Sequence, residues 1–362
     1  MSGLCCAKYT APCKEKLIFT TDKNVTGEEA MRKAATYNLS FTYGERNTPA
    51  TAILTTTNSS LAINKKEYSP SRSSILGNNA FIFNYGAIST NAIKAKDHIS
   101  LFCAENIPTG FNLMEKNALL PNLVGLGYSD IDEHSNFPSK SFFDQLIENQ
   151  GFDNKFSLQL CGNYGPSEIM IGGVDPKIKD TLRDFIPIKE KSEFVVPALY
   201  IRTSNDKRIL ANFGTRTVID TGTAFTVLPR KMAEIIRDEI ISRAQELGIA
   251  DEFPKDFFRL ERVSTPKMVR FASLKQVRQF PTFEIAFSGL DGKKKYLLMQ
   301  PMNYFKEMDP LDPNFRAFGF RETDGEARLG QSFLENYYIF VDRKNGIIGF
   351  GDIDKACNRP IS

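Results

Sequence analysis

One loop constrains this chain more than any other stretch. The apolar pair Val218-Ile219 runs into Asp220-Thr221-Gly222-Thr223, and the chain leaves through Ala224 and Phe225 toward Val227, Leu228 and Pro229. An Asp at the end of an apolar strand is held at one point in a cleft. The Thr221 hydroxyl can anchor the loop, and Gly222 permits a close approach that a side chain would block. Thr223 adds a second hydroxyl able to bond the carboxylate and keep it ionised. Asp, Thr and Gly are also common turn residues, so the three letters alone describe a plain strand-to-turn junction equally well. The apolar flanks, and the landmarks elsewhere in the chain, give the loop its meaning.

The 362 residues are 41% hydrophobic and 25% charged, an ordinary globular balance, and the length suggests two lobes. A net charge of +3 makes no electrostatic case for nucleic acid. No run approaches the roughly 18 apolar residues of a membrane-spanning helix. The opening stretch carries Lys8, Lys14 and Lys16 and lacks the apolar core of a signal peptide. The expectation is therefore either a cytoplasmic chain or a secretory one whose leader is absent from this sequence. The cysteines at 5, 6, 13, 103, 161 and 357 match no zinc spacing, and His98 and His134 lie in polar surroundings. No metal or cofactor is expected. Asn24, Asn38 and Asn58 head glycosylation sequons, a mild pointer to secretion.

Along the chain, residues 27–35 read as a short helix. From Tyr37 the pattern turns to strands: Leu39, Phe41 and Tyr43 alternate, and residues 52–63 form a strand-like stretch interrupted by Thr55-Thr56-Thr57-Asn58-Ser59-Ser60. Residues 80–85 end in Tyr85-Gly86 and open a hairpin returning through Asp97, Ile99 and Leu101. Leu123-Val124-Gly125 is a short apolar run, residues 139–150 a helix, and residues 156–160 and 169–173 further strands. In the second half, strands are predicted at 184–188, 194–202, 214–220, 282–288, 296–300, 337–341 and 347–350. Residues 230–247 form the best helix, with Met232, Ile235, Ile236, Ile240, Ala244 and Leu247 as a core stripe. Many short strands with few helices indicate a mainly β protein.

In this order, the landmarks resemble the pepsin-like aspartic peptidases over residues 37–357. Asp220-Thr221-Gly222-Thr223 resembles the second catalytic loop, and Leu123-Val124-Gly125 the element passing under the first. Leu329-Gly330 resembles its second-lobe counterpart, with Arg328 where an apolar residue is usual. Tyr85-Gly86 resembles the flap tyrosine, and residues 338–349 the terminal strands. The stretch 139–162 is closest to the β-secretase branch. The resemblance implies a bilobal fold of two β-barrel-like lobes with a central cleft. It divides the chain into an N-terminal extension (1–36), an N-terminal lobe with flap (37–182) and a C-terminal lobe (183–362). It also implies a disulfide between Cys161 and Cys357, and with it an oxidising compartment. Secretion or vacuolar delivery is then expected.

The family's chemistry uses two Asp carboxylates that share a proton and activate a water. The first motif should be Asp-Thr-Gly-Ser-Ser-x-Leu. Here the Asp position falls on Thr55, or on Thr56 if the alignment slips by one, and the Gly position on Thr57 or Asn58. A threonine hydroxyl can neither share the dyad proton nor act as base near neutral pH. Flap glycines are also lost, with Ile88 at the expected tip, which implies a stiffer flap. The reading is a catalytically inactive homologue that keeps a cleft for a peptide or protein ligand. The alternatives are an active endopeptidase using Asp220 and a structural or assembly protein on the same fold.

Overall fold

The computed structural model describes residues 11–21, 35–85, 88–115, 120–128, 140–191, 193–214, 216–260, 268–309, 311–353 and 357. The first half supplies ten strands: β1 Cys13–Thr21, β2 Ala35–Tyr43, β3 Thr48–Thr55, β4 Leu61–Asn64, β5 Ile75–Tyr85, β6 Ile88–Leu101, β7 Ala104–Met114, β8 Leu123–Gly125, β9 Lys155–Gln159 and β10 Ser167–Ile171. Helix α1, Phe142–Gln150, lies between β8 and β9 and is capped by Ser141, whose side chain accepts from the Asp144 amide.

The second half begins with β11 Asp184–Pro187, β12 Val195–Val196, β13 Ala198–Thr203, β14 Ile209–Asn212, β15 Thr217–Ile219 and β16 Thr226–Pro229. Helix α2, Arg230–Glu246, follows. Then come β17 Met268–Arg270, β18 Phe283–Ser288, β19 Lys294–Met299, β20 Phe305–Glu307, β21 Phe315–Phe318, β22 Phe320–Thr323, β23 Ala327–Leu329, β24 Tyr337–Asp342 and β25 Ile347–Asp352.

The two halves repeat one topological device. In the first, β8 runs parallel to β3 and antiparallel to β4, and β4 runs parallel to β7. In the second, β23 runs parallel to β15 and antiparallel to β16, and β16 runs parallel to β22. Each half thus threads a short apolar strand between the two arms of a loop. The close approach requires glycine: a Cβ on Gly125 would meet the Ser60 nitrogen at 2.7 Å, and one on Gly330 the Thr223 carbonyl at 2.6 Å.

A 13-stranded sheet joins the halves, in the order β11-β25-β24-β9-β10-β1-β2-β3-β8-β4-β7-β6-β5. The crossing point is the antiparallel pair β24–β9, where Ile339 faces Leu158 and Val341 faces Phe156. These four side chains are buried in the main core. Polar ties reinforce the junction: Tyr37 and Lys306 both donate to Glu335 Oε1, each at 2.6 Å. The second half adds a phenylalanine cluster in which Phe253, Phe257, Phe271, Phe280 and Phe305 pack ring to ring.

Most predicted elements lie where the alternation put them, with adjustments. Residues 13–21, grouped with the extension in the sequence reading, are an internal strand paired to both β10 and β2. The expected helix at 27–35 falls outside the described residues except Ala35, which opens β2. In α2, Met232, Ile236, Ile240 and Ala244 are buried, whereas Ile235 is 41% exposed and lies off the core stripe. Tyr85 pairs with Ile88 across the flap hairpin, so Ile88 opens β6 and is not its tip; residues 86–87 lie outside the described residues. Cys161 and Cys357 are joined by a disulfide and cluster with Ile353. A second bridge joins Cys13 to Cys103, tying β1 to the β6–β7 turn. Cys5, Cys6 and His134 lie outside the described residues. Asn58 is buried and its side-chain oxygen accepts from the Ser60 amide, so this sequon is closed to a glycan in the folded chain.

Candidate active site

Two loops meet where the halves touch: residues 55–60 between β3 and β4, and residues 220–225 between β15 and β16. Their contact is reciprocal. Thr56 Oγ1 donates to the Ile219 carbonyl at 2.7 Å and accepts from the Thr221 amide at 3.1 Å. Thr221 Oγ1 donates back to the Leu54 carbonyl at 3.2 Å. Each threonine thus reaches the carbonyl two residues upstream of its own counterpart. This pairs Thr56 with Thr221, and hence Thr55 with Asp220 and Thr57 with Gly222. The same register follows from β3 and β15, where Thr55 lies opposite Gly125 and Ile219 opposite Leu329, so that Asp220 meets Gly330.

Asp220 is fully buried. Its Oδ1 accepts from the Gly222 amide at 2.9 Å and from Thr57 Oγ1 at 3.3 Å. Its Oδ2 accepts from Thr223 Oγ1 at 2.6 Å and from Arg328 Nη1 at 3.2 Å. An ionised carboxylate offers about four acceptor sites, and four donors occupy them. On the other side, Thr55 is fully buried and its Oγ1 lies 3.2 Å from Thr57 Oγ1. The Thr57 amide donates to Thr55 Oγ1 at 3.3 Å, the same bond that Gly222 makes to Asp220.

Arg328 comes from the middle of β23, where it pairs with Val218 on β15 and Val227 on β16. Its counterpart in the first half is Leu123, which is buried among apolar side chains. The guanidinium also pairs with Glu326 and lies 3.8 Å from Glu193. Beyond them Arg216 binds Glu326, Glu190 and Glu193, carrying the charge network outward. Burial would lower the Arg328 pKa, but the Asp220, Glu326 and Glu193 carboxylates outweigh it and hold the guanidinium more firmly protonated than usual. Glu193 is pushed up by burial and by Glu326, against the pull of Arg328 and Arg216.

The flap closes over this pair. Tyr85, at the end of β5, is 2% exposed, and its hydroxyl lies directly over Gly222. A Cβ at residue 222 would strike that hydroxyl and come within 2.9 Å of Thr55 Oγ1. Gly222 is therefore required by what lies across from it, not by its backbone angles.

The structure thus brings Asp220, Thr221, Gly222, Thr223, Thr55 and Tyr85 into one cluster. The sequence reading missed the parts played by Thr57 and Arg328. The signal for Arg328 was present, a cation in a short apolar strand, but its reach to Asp220 depends on how β23 threads between β15 and β16.

Comparison with known proteins agrees with this geometry. Residues 32–353 match the family described as Eukaryotic aspartyl protease. A β-secretase of Strongylocentrotus purpuratus is 24% identical over 255 residues, 63% of this chain and 46% of its own length. Vacuolar protease A of Neurospora crassa is 25% identical over 79% of this chain and 67% of its own. Cathepsin D of Mus musculus is 22% identical over 75% of this chain and 66% of its own. The chain therefore spans from under half to about two thirds of the length of these relatives. With the matched region reaching from β2 to the end of β25, the chain belongs to the eukaryotic aspartyl protease family.

Proposed function

We propose that this chain is a catalytically inactive member of its family that keeps a cleft for a peptide or protein ligand. The observation that carries the reading is the reciprocal bonding of Thr56 and Thr221, from which we read Thr55 as the counterpart of Asp220. Peptide hydrolysis by two carboxylates needs one as base and the other, protonated, as acid. Thr55 offers an alcohol, which cannot exchange a proton in the working range. Asp220 is also poorly placed to act alone: its acceptor sites are filled by Gly222, Thr57, Thr223 and Arg328, so a nucleophilic water finds no open lone pair.

Ligand binding does not need that exchange. An extended peptide would use backbone hydrogen bonds and side-chain pockets along the cleft. It enters only when Tyr85 lifts from Gly222. The two disulfides fit an oxidising compartment, and with it residence in the secretory pathway, as a secreted or vacuolar protein.

The test is to incubate the purified protein with an unbiased peptide library, isolate the complexes and identify the peptides by mass spectrometry. The reading predicts recovery of intact peptides and no new termini. New termini that disappear in Asp220→Asn would instead establish an active endopeptidase.

A further inference from the structure

We propose that the outer edge of the flap strand β5 is an interaction surface, and that its partner is β5 of a second copy of this chain, paired antiparallel across a two-fold axis. This goes beyond the proposed function and does not depend on it. Strand β5 is the last strand of the 13-stranded sheet and, among the described residues, is hydrogen-bonded on one side only, to β6. In an antiparallel pair, alternate residues turn their N–H and C=O groups away from the partner, so the outer edge of β5 presents a row of such groups.

Edge strands usually carry charges, prolines or pervasive irregularity that discourage pairing. The eleven residues of β5, Ile-Leu-Gly-Asn-Asn-Ala-Phe-Ile-Phe-Asn-Tyr, contain no charge and no proline. The chain as a whole has 46 basic and 43 acidic residues, and the neighbouring β6 carries Lys94, Lys96 and Asp97, so the neutrality is local. One irregularity exists, a register shift between Leu76 and Ala80; from Ala80 to Tyr85 the pairing with β6 is unbroken. Ile75, Leu76 and Ile82 are 64%, 42% and 67% exposed.

The regular segment is complementary to itself, which selects a second copy over an unrelated strand. A two-fold axis normal to the sheet through Ile82 preserves the two faces. It sets Ile82 beside its own copy, Phe81 beside the copy's Phe83, and Ala80 beside the copy's Asn84. No like charges oppose each other, and aromatic cross-strand pairs are among the favourable ones. The contact of two short strands is small, so the association is weak, with a dissociation constant of about 10–100 μM. Because β5 carries Tyr85 onto Gly222, pairing would hold the flap down in both copies.

Sedimentation velocity across a concentration series spanning that range tests this, with amide hydrogen exchange followed in parallel. The proposal predicts a reversible monomer–dimer equilibrium and slower exchange in the β5 segment as concentration rises. Ile82→Lys, at an exposed position where folding is unaffected, should weaken the dimer at least tenfold. Ile209→Lys, exposed on β14 of a separate sheet, should leave it intact. A monomer at every concentration overturns the proposal. So does a dimer that survives Ile82→Lys, or open-ended oligomers in place of a closed pair.

Discussion

Replacing Arg328 by leucine probes the junction between the family's architecture and this chain's departure from it. Arg328 Nη1 lies 3.2 Å from Asp220 Oδ2, and the carboxylate is fully buried. At an effective dielectric of about 20, two unit charges at that separation attract by roughly 5 kcal/mol. Desolvation offsets part of this, so the pair's net worth is smaller, but removing one partner strands the other charge in the interior. Arg328→Leu should therefore cost about 3–5 kcal/mol of folding stability. Asp220→Asn alone should cost less, about 1–2 kcal/mol, because Arg328 keeps Glu326 and Glu193 as partners, the new amide oxygen still accepts from the Gly222 amide, and its NH2 can donate to Thr223 Oγ1. In the double variant no buried carboxylate is left unpaired at position 220. Its cost should fall short of the sum of the singles by about 2–3 kcal/mol. The chain contains no tryptophan, so chemical unfolding is best followed by circular dichroism. Additive effects, with a coupling below about 0.5 kcal/mol, would refute the claim that Arg328 is the counterion of Asp220.

Gly222→Ala should destabilise by about 1–3 kcal/mol, because the new methyl meets the Tyr85 hydroxyl and Thr55 Oγ1, and Tyr85→Phe should recover part of the loss in the same melt. Opening the Cys161–Cys357 bridge by paired serines removes a cross-link between residues 196 apart, for which chain entropy predicts a loss of about 5 kcal/mol at most; an unchanged denaturation midpoint would contradict it. Burial would raise the Asp97 pKa, but bonds from Ser71, Tyr68 and the His98 amide outweigh it and hold the carboxyl below its ordinary value. Its contribution is therefore full above the unfolded pKa and lost as pH falls through the depressed folded value, so unfolding at pH values below about 4 should show a steep stability loss that Asp97→Asn flattens.

The parts of the fold legible in the sequence are those whose signal is local. The Asp220 loop, the apolar run at Leu123 and the terminal pair β24–β25 carry their own patterns of alternation, glycine and turn residues. Other strands are defined by their partners. Strand β7 contains Pro108 and Gly110, which read as breaks, yet it pairs with β6 along its length and with β4 at Asn112, Leu113 and Met114. The short strands β17 and β20 to β22 exist because other segments pair with them, and no periodicity announces them. At the site the same division holds. Thr55 could be located to within one residue from the Asn58-Ser59-Ser60-Leu61 stretch that follows it. Its register needed the hydrogen bonds of Thr56 and Thr221, and the destination of Arg328 needed the packing of β23.

One carboxylate, saturated by four donors and facing a threonine, should not hydrolyse peptides. The direct measurement is peptide cleavage by the purified protein and by Asp220→Asn, read by mass spectrometry across about pH 3 to 7, the span in which carboxylates titrate. No products are expected from either protein at any pH in that span. Products from the wild type that Asp220→Asn abolishes would contradict it, because a second acid would then have to stand where the structure holds Thr55.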